Sequence, residues 1–160
     1  MRLTSFTDFG LRVLMRLAGR PDAVMSTEQV AREFAISRHH LQKVVQDLAA
    51  AGFVHTRRGA GGGLTLARPA ADIRLGEVVR ALERDQVLVE CFRTDGGACR
   101  LTPFCRLREE LHHAAEAFLA RLDETTLAAC AYGGALAPGN GAGGADERPG
   151  GLAPWAQAKD

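Results

Sequence analysis

Ser26-Thr27-Glu28-Gln29-Val30-Ala31-Arg32-Glu33-Phe34-Ala35-Ile36-Ser37-Arg38-His39-His40-Leu41-Gln42-Lys43-Val44-Val45-Gln46-Asp47-Leu48 is the stretch that decides the fold. Ser26 is placed to cap a helix, with Glu28 or Gln29 close behind and Val30, Ala31 and Phe34 turned inward. A tight turn is predicted at Ala35-Ile36. Ser37 then caps a further helix from Arg38 to about Ala51. Its inward stripe is Leu41, Val44, Val45 and Leu48, while Arg38, His39, Gln42, Lys43 and Gln46 point outward. Gly52 supplies the C-terminal stop. Two short helices joined by a tight turn, the second rich in outward polar groups, form a helix-turn-helix.

Upstream, Phe9, Val13, Leu14 and Leu17 place one apolar face on a helix over Thr7 to Leu17, with Arg12 and Arg16 on the other face. Gly19 and Pro21 end it. Downstream, Phe53-Val54-His55-Thr56 and Leu64-Thr65-Leu66 flank Arg57-Arg58-Gly59-Ala60-Gly61-Gly62-Gly63, a β-hairpin over about residues 54–66 with a long basic tip. The fold expected is therefore mainly α with a small β-wing, a winged helix-turn-helix. A short helix from about Leu75 to Glu83 leads into a loop, residues 91–105. Beyond Pro103, Leu107, Leu111, Ala114, Ala115, Phe118 and Leu122 recur at steps of three and four, predicting a helix over about residues 105–130. Its apolar seam calls for a partner, and a two-fold homodimer is the economical one. One domain is expected over residues 1–130. From Gly133 to Asp160, Gly, Ala and Pro make up 18 of 28 residues, too little apolar surface to offset ordering entropy, so a disordered tail is expected there.

The net charge of +1 hides an asymmetry. Residues 1–84 hold 13 Lys/Arg against 8 Asp/Glu, and residues 85–160 hold 7 against 11. A basic front half suits a polyanion-binding module. There is no signal-peptide pattern and no apolar run long enough to span a bilayer, which points to the cytoplasm and to no membrane partner.

A helix-turn-helix puts the start of its second helix in the major groove of double-stranded DNA. Ser37, Arg38, His39, His40, Gln42 and Lys43 are thus the candidates for bases and phosphates. In the wing, Arg57 and Arg58 suit the minor groove, and Gly62 and Gly63 let the backbone come close. These glycines are no nucleotide-binding loop, since neither a Gly-Lys-Ser/Thr end nor a helix follows.

Three cysteines lie in the following loop, spaced Cys91-x7-Cys99-x5-Cys105. In a reducing compartment such thiols serve as ligands rather than disulfides. Structural zinc sites usually pair ligands two to four residues apart, and this loop has no such pair. Iron–sulfur ligands can be spread more widely around a glycine-containing loop such as Asp95-Gly96-Gly97. A fourth donor is open among His112, His113, Cys130 and Asp8, and zinc with a histidine stays open too. No nucleophile–base pair, phosphate loop or carboxylate pair marks an enzyme.

Leu3-Thr4-Ser5-Phe6-Thr7-Asp8-Phe9-Gly10-Leu11-Arg12, the run from Ser37 to Val44 and Arg58-Gly59-Ala60-Gly61-Gly62-Gly63-Leu64 resemble the winged-helix iron–sulfur transcription regulators. The segment from Cys99 to Leu107 is most similar to the NsrR-type, nitric-oxide-sensing branch. IscR-like members use a histidine ligand, and this loop has none between Cys91 and Cys105. The resemblance covers about residues 1–130; the Gly/Ala tail and Cys130 lie outside it. It implies a dimeric repressor with an iron–sulfur cluster on Cys91, Cys99 and Cys105, with Asp8 as the non-cysteine ligand. A [4Fe-4S] form is expected before [2Fe-2S]. Nitric oxide would release the dimer from a palindromic operator and derepress nitric-oxide detoxification genes. Iron or cluster supply, or oxidative stress, is the alternative signal, and an electron-transfer protein the alternative class.

Overall fold

The computed structural model describes residues 3–59 and 61–134. Helix α1, Ser5–Ala18, begins where the Thr4 hydroxyl accepts from the Thr7 amide, two residues ahead of the expected start. Helices α2, Thr27–Glu33, and α3, Arg38–Ala50, begin at Ser26 and Ser37, whose hydroxyls accept from Gln29 N at 3.0 Å and His40 N at 3.2 Å. Ala35, in the turn between them, has φ of 53°, a left-handed conformation strained for a residue with a Cβ.

Strands β1, Val54–Arg57, and β2, Gly63–Leu66, pair antiparallel with Val54 opposite Leu66 and Arg57 opposite Gly63. Met25 adds a one-residue bridge to Leu64, tying the wing to the entrance of α2. Helix α4, Leu75–Leu82, follows, and then α5, Arg106–Asp123. The core is built from Val13, Leu14 and Leu17 of α1, Leu41, Val44 and Leu48 of α3, Phe53, Leu64 and Val78, all at most 2% exposed.

Two expectations change. Helix α5 stops at Asp123 instead of running to about 130. Residues 124–134 turn back across the domain: Leu75 N donates to Thr125 O at 3.0 Å, Leu127 N to Ile73 O at 2.8 Å, and Tyr132 N to Met15 O at 3.0 Å. Leu127 is fully buried, so this stretch contributes one side chain to the core. Arg16, placed by periodicity on the polar face of α1, is only 2% exposed, because the returning segment covers it. Gly133 and Gly134 belong to that segment, and the remainder of the expected tail lies outside the described residues.

Candidate nucleic-acid interface and cysteine loop

The first turns of α3 leave the surface freely. Ser37, Arg38, His39, His40, Gln42 and Lys43 are all exposed, as are Arg57 and Arg58 in the wing. The Ser37 acceptor is engaged by its cap, which leaves its O–H to donate to a phosphate. Arg12, Arg16, Arg68, Arg80, Arg84, Arg93 and Arg121 each pair with a carboxylate. Among the described residues, Arg38, Lys43, Arg57 and Arg58 form no such pair; Arg20, Arg32, Arg74, Arg100, Arg106 and Arg108 form none either, but only the first four lie on the start of α3 and in the wing. Cations left unneutralised on a helix start and an adjoining wing are what a polyanion surface requires.

Gly62 and Gly63 have a reason within the protein itself. A Cβ at Gly62 would lie 2.2 Å from the Arg57 carbonyl oxygen, and one at Gly63 would lie 2.7 Å from that of Met25. Their smallness closes the wing and seats it on the Met25 bridge.

The cysteine loop is held by polar contacts of its own. Cys91 sits in a 3-10 turn, Glu90–Phe92, and Cys105 is the N-cap residue of α5. Gly96 and Gly97 take positive φ, at 77° and 62°. Asp95 accepts from Gly97 N at 3.0 Å and pairs with Arg93 at 2.8 Å, and the Arg93 hydrogen bond holds its carboxyl below the usual range. Glu90 accepts from Ala98 N at 3.0 Å, and Thr102 Oγ1 donates to Cys99 O at 2.9 Å. All four cysteines are half-buried free thiols. Among the described residues no three His, Cys, Asp or Glu side chains gather closely enough to hold a metal ion. Asp8 instead pairs with Arg12 at 2.6 Å, one turn away on α1. The donor set nevertheless fits iron–sulfur chemistry in kind, since three unpaired thiols lie on a loop without a core of its own.

Two side chains beside this loop, Arg108 and Phe92, went unnoticed in the sequence, and they meet His112, one of the donors considered there. Arg108 Nε donates to Cys91 O at 3.3 Å, and its guanidinium lies 5.9 Å from the centre of the Phe92 ring. Phe92 meets His112 edge-on at 6.0 Å. Phe92, Cys105, Arg108 and His112 share a cavity of about 710 Å³. Of the other donors considered, His113 is exposed and Cys130 closes a 3-10 turn, Leu127–Cys130, that packs on α1.

Helix α5 buries no residue in the single chain, although it packs along α4. Leu101, Phe104 and Leu107 are 70%, 94% and 64% exposed at its start. The predicted seam is thus open at its N-terminal end.

Residues 3–132 match the family model described as "Rrf2: Iron-dependent Transcriptional regulator". The chain belongs to the Rrf2 family. It is 46% identical over 129 residues to the HTH-type transcriptional regulator NsrR of Geobacillus kaustophilus, covering 80% of this chain and 88% of that one. To NsrR of Bacillus subtilis it is 44% identical, covering 79% and 88%. Among solved structures, oxidised Staphylococcus aureus CymR matches with a TM-score of 0.62 at 26% identity, over 80% of this chain and 94% of that one. T. potens IscR matches in fold with a TM-score of 0.64 at 24% identity, covering 80% and 84%. This Rrf2 protein is a winged-helix transcriptional regulator, and its relatives are named as regulators, not enzymes.

Proposed function

We propose that this Rrf2 regulator is a cytoplasmic, homodimeric repressor that carries an iron–sulfur cluster and senses nitric oxide. Cys91, Cys99 and Cys105 hold the cluster, of the [4Fe-4S] type before [2Fe-2S], and Asp8 completes the ligand set. The observation that carries this reading is the joining, in one short chain, of an exposed cationic reading face to three free thiols on the loop that leads into α5. The kinship with NsrR proteins supports it. Among the described residues no helix is long and apolar enough to cross a membrane.

When bound, the cluster supplies an iron whose carboxylate ligand is harder and more easily displaced than thiolate, an opening for a diatomic gas. The chain supplies the rest. Asp8 must leave Arg12 to reach the loop, and an exposed pair one helical turn apart holds it by only about 0.3–0.5 kcal/mol. Ligation by Asp8 ties the cysteine loop to α1, which packs against α3. Losing that tie shifts the two recognition helices and wings of a dimer away from the spacing of a palindrome. Turning a 99:1 population to 1:99 takes about 5.5 kcal/mol, within reach of lost ligand bonds and half-site contacts. Ser37, Arg38, His39, His40, Gln42 and Lys43 read the operator, and Arg57, Arg58, Gly62 and Gly63 bring the wing to its backbone.

Protein purified without oxygen should be brown, bind an inverted-repeat operator and release it on exposure to nitric oxide. Release by chelator or peroxide, but not by nitric oxide, would assign a different signal. A Cys99→Ala protein that kept both colour and response would refute the ligand set.

A further inference from the structure

Arg16 carries a buried charge that neither the reading face nor the cysteine loop uses. Its Nε donates to Glu33 Oε2 at 2.7 Å and its Nη2 to Glu33 Oε1 at 3.3 Å. Its Nη1 donates to the carbonyls of Tyr132, at 3.3 Å, and Gly134, at 2.7 Å. Arg16 meets four oxygens with four N–H groups in a planar fork, one more than an ammonium has to offer. Glu33 is the last residue of α2, and the Arg16 hydrogen bond leads the causes that hold its carboxyl below the ordinary range. The segment beneath is pressed close. A Cβ on Gly19 would lie 2.1 Å from the Tyr132 carbonyl carbon.

This segment is bonded at nearly every step from α5 onward. Asp123 takes Arg80 of α4 at 2.8 and 2.5 Å. Thr125 and Leu127 hydrogen-bond to Leu75 and Ile73, and Tyr132 to Met15. Arg16 makes the last link, to α2, which packs on the recognition helix α3.

We infer that residues 124–134 form a strap, clasped by Arg16, that transmits the state of α5 and its cysteine loop to the helix-turn-helix. This rests on the reading that a cluster on that loop sets DNA affinity. A shift of α5 against α4 pulls the strap carbonyls, and Glu33 follows because one guanidinium grips both. Separating a guanidinium that is only 2% exposed from its partners costs hydrogen bonds to a buried charge, which favours the clasp moving as a unit. Arg16 is a positioning residue and touches no DNA.

The test uses the full chain, in cluster-loaded and iron-free forms, and the ratio of their operator Kd values. Arg16→Lys keeps the charge but has three N–H groups for the four oxygens. Gly19→Ala leaves Arg16 and Glu33 intact and pushes the strap aside. With iron and sulfide content unchanged, either variant should collapse a wild-type ratio on the order of 5–150-fold to within about twofold of one. If Arg16→Lys fails to fold, Gly19→Ala decides alone. Equal weakening of both forms, with the ratio kept, overturns the strap and leaves cluster-dependent binding standing. A wild-type ratio of one overturns the cluster reading itself, and the strap with it.

Discussion

Replacing Arg58 by Ala should change the salt dependence of DNA binding by an amount the structure sets. The chain presents four exposed cations on the proposed reading face, Arg38, Lys43, Arg57 and Arg58, none paired with a carboxylate among the described residues. A dimer gripping both half-sites would then neutralise up to about eight phosphates, for a slope of log K against log salt near about −7. Arg58→Ala removes two, flattening the slope by about 1.8. Raising salt from about 50 to about 200 mM would weaken the variant roughly 12-fold less than the wild type. Arg121 is the control, because its pairing with Glu124 at 2.7 Å spends its charge inside the protein, on the exposed side of α5. The assay is fluorescence anisotropy on a labelled inverted repeat across a salt series. An unchanged slope for Arg58→Ala excludes the wing from the backbone. An equal change for Arg121→Ala would mean that net charge, not the reading face, drives binding. A flattening of about 0.9 instead would count one protomer per site.

The remaining predictions concern the scaffold. Leu127→Ala should cost about 2–5 kcal/mol in urea unfolding, since a fully buried side chain leaves a cavity; a cost near zero would detach the returning segment from the core. Ala35→Gly should stabilise by roughly 0.5 kcal/mol, as relief of left-handed strain of about 1–2 kcal/mol outweighs the added freedom of the unfolded chain; a lower urea midpoint would refute the strain. Glu33 is held low by the Arg16 hydrogen bond. For Glu83 burial pushes upward, but the Thr7 and Thr4 donors outweigh it and leave its carboxyl lowered too. Both contribute stability that is complete above the unfolded value of about 4.3 and is lost as pH falls below it toward the folded values. A pH series of melting temperatures should therefore drop more shallowly below that value in Glu33→Gln than in wild type; parallel curves would remove Glu33 from the acid response.

What the sequence disclosed and what it withheld divide along a physical line. Local chemistry was legible. Ser26 and Ser37 mark helix starts because their hydroxyls satisfy amides three residues on, and the recognition helix and wing fall where periodicity places them. What depends on distant partners was not. Arg16 sits on the polar face of α1 by period, yet a segment more than a hundred residues later covers it. Helix α5 carries no Gly or Pro near Asp123, and the chain beyond its end is held by the Leu75 N–H to Thr125 O and Leu127 N–H to Ile73 O hydrogen bonds. Gly62 reflects the approach of its own hairpin and Gly63 that of Met25, which no composition rule separates from an approach by DNA. The cysteine loop lies at the far end of this line. Its thiol spacing announces ligands, but its polar turns have no core to dictate one arrangement, and the three sulfur atoms and Asp8 stand apart when the protein is described by its own contacts alone. On the proposed reading, a loop held by exposed polar contacts would take its final geometry from the cluster, because ligand bonds outweigh those contacts. That weakness would suit it to sensing, since a site already closed by packing would hold its shape with or without iron.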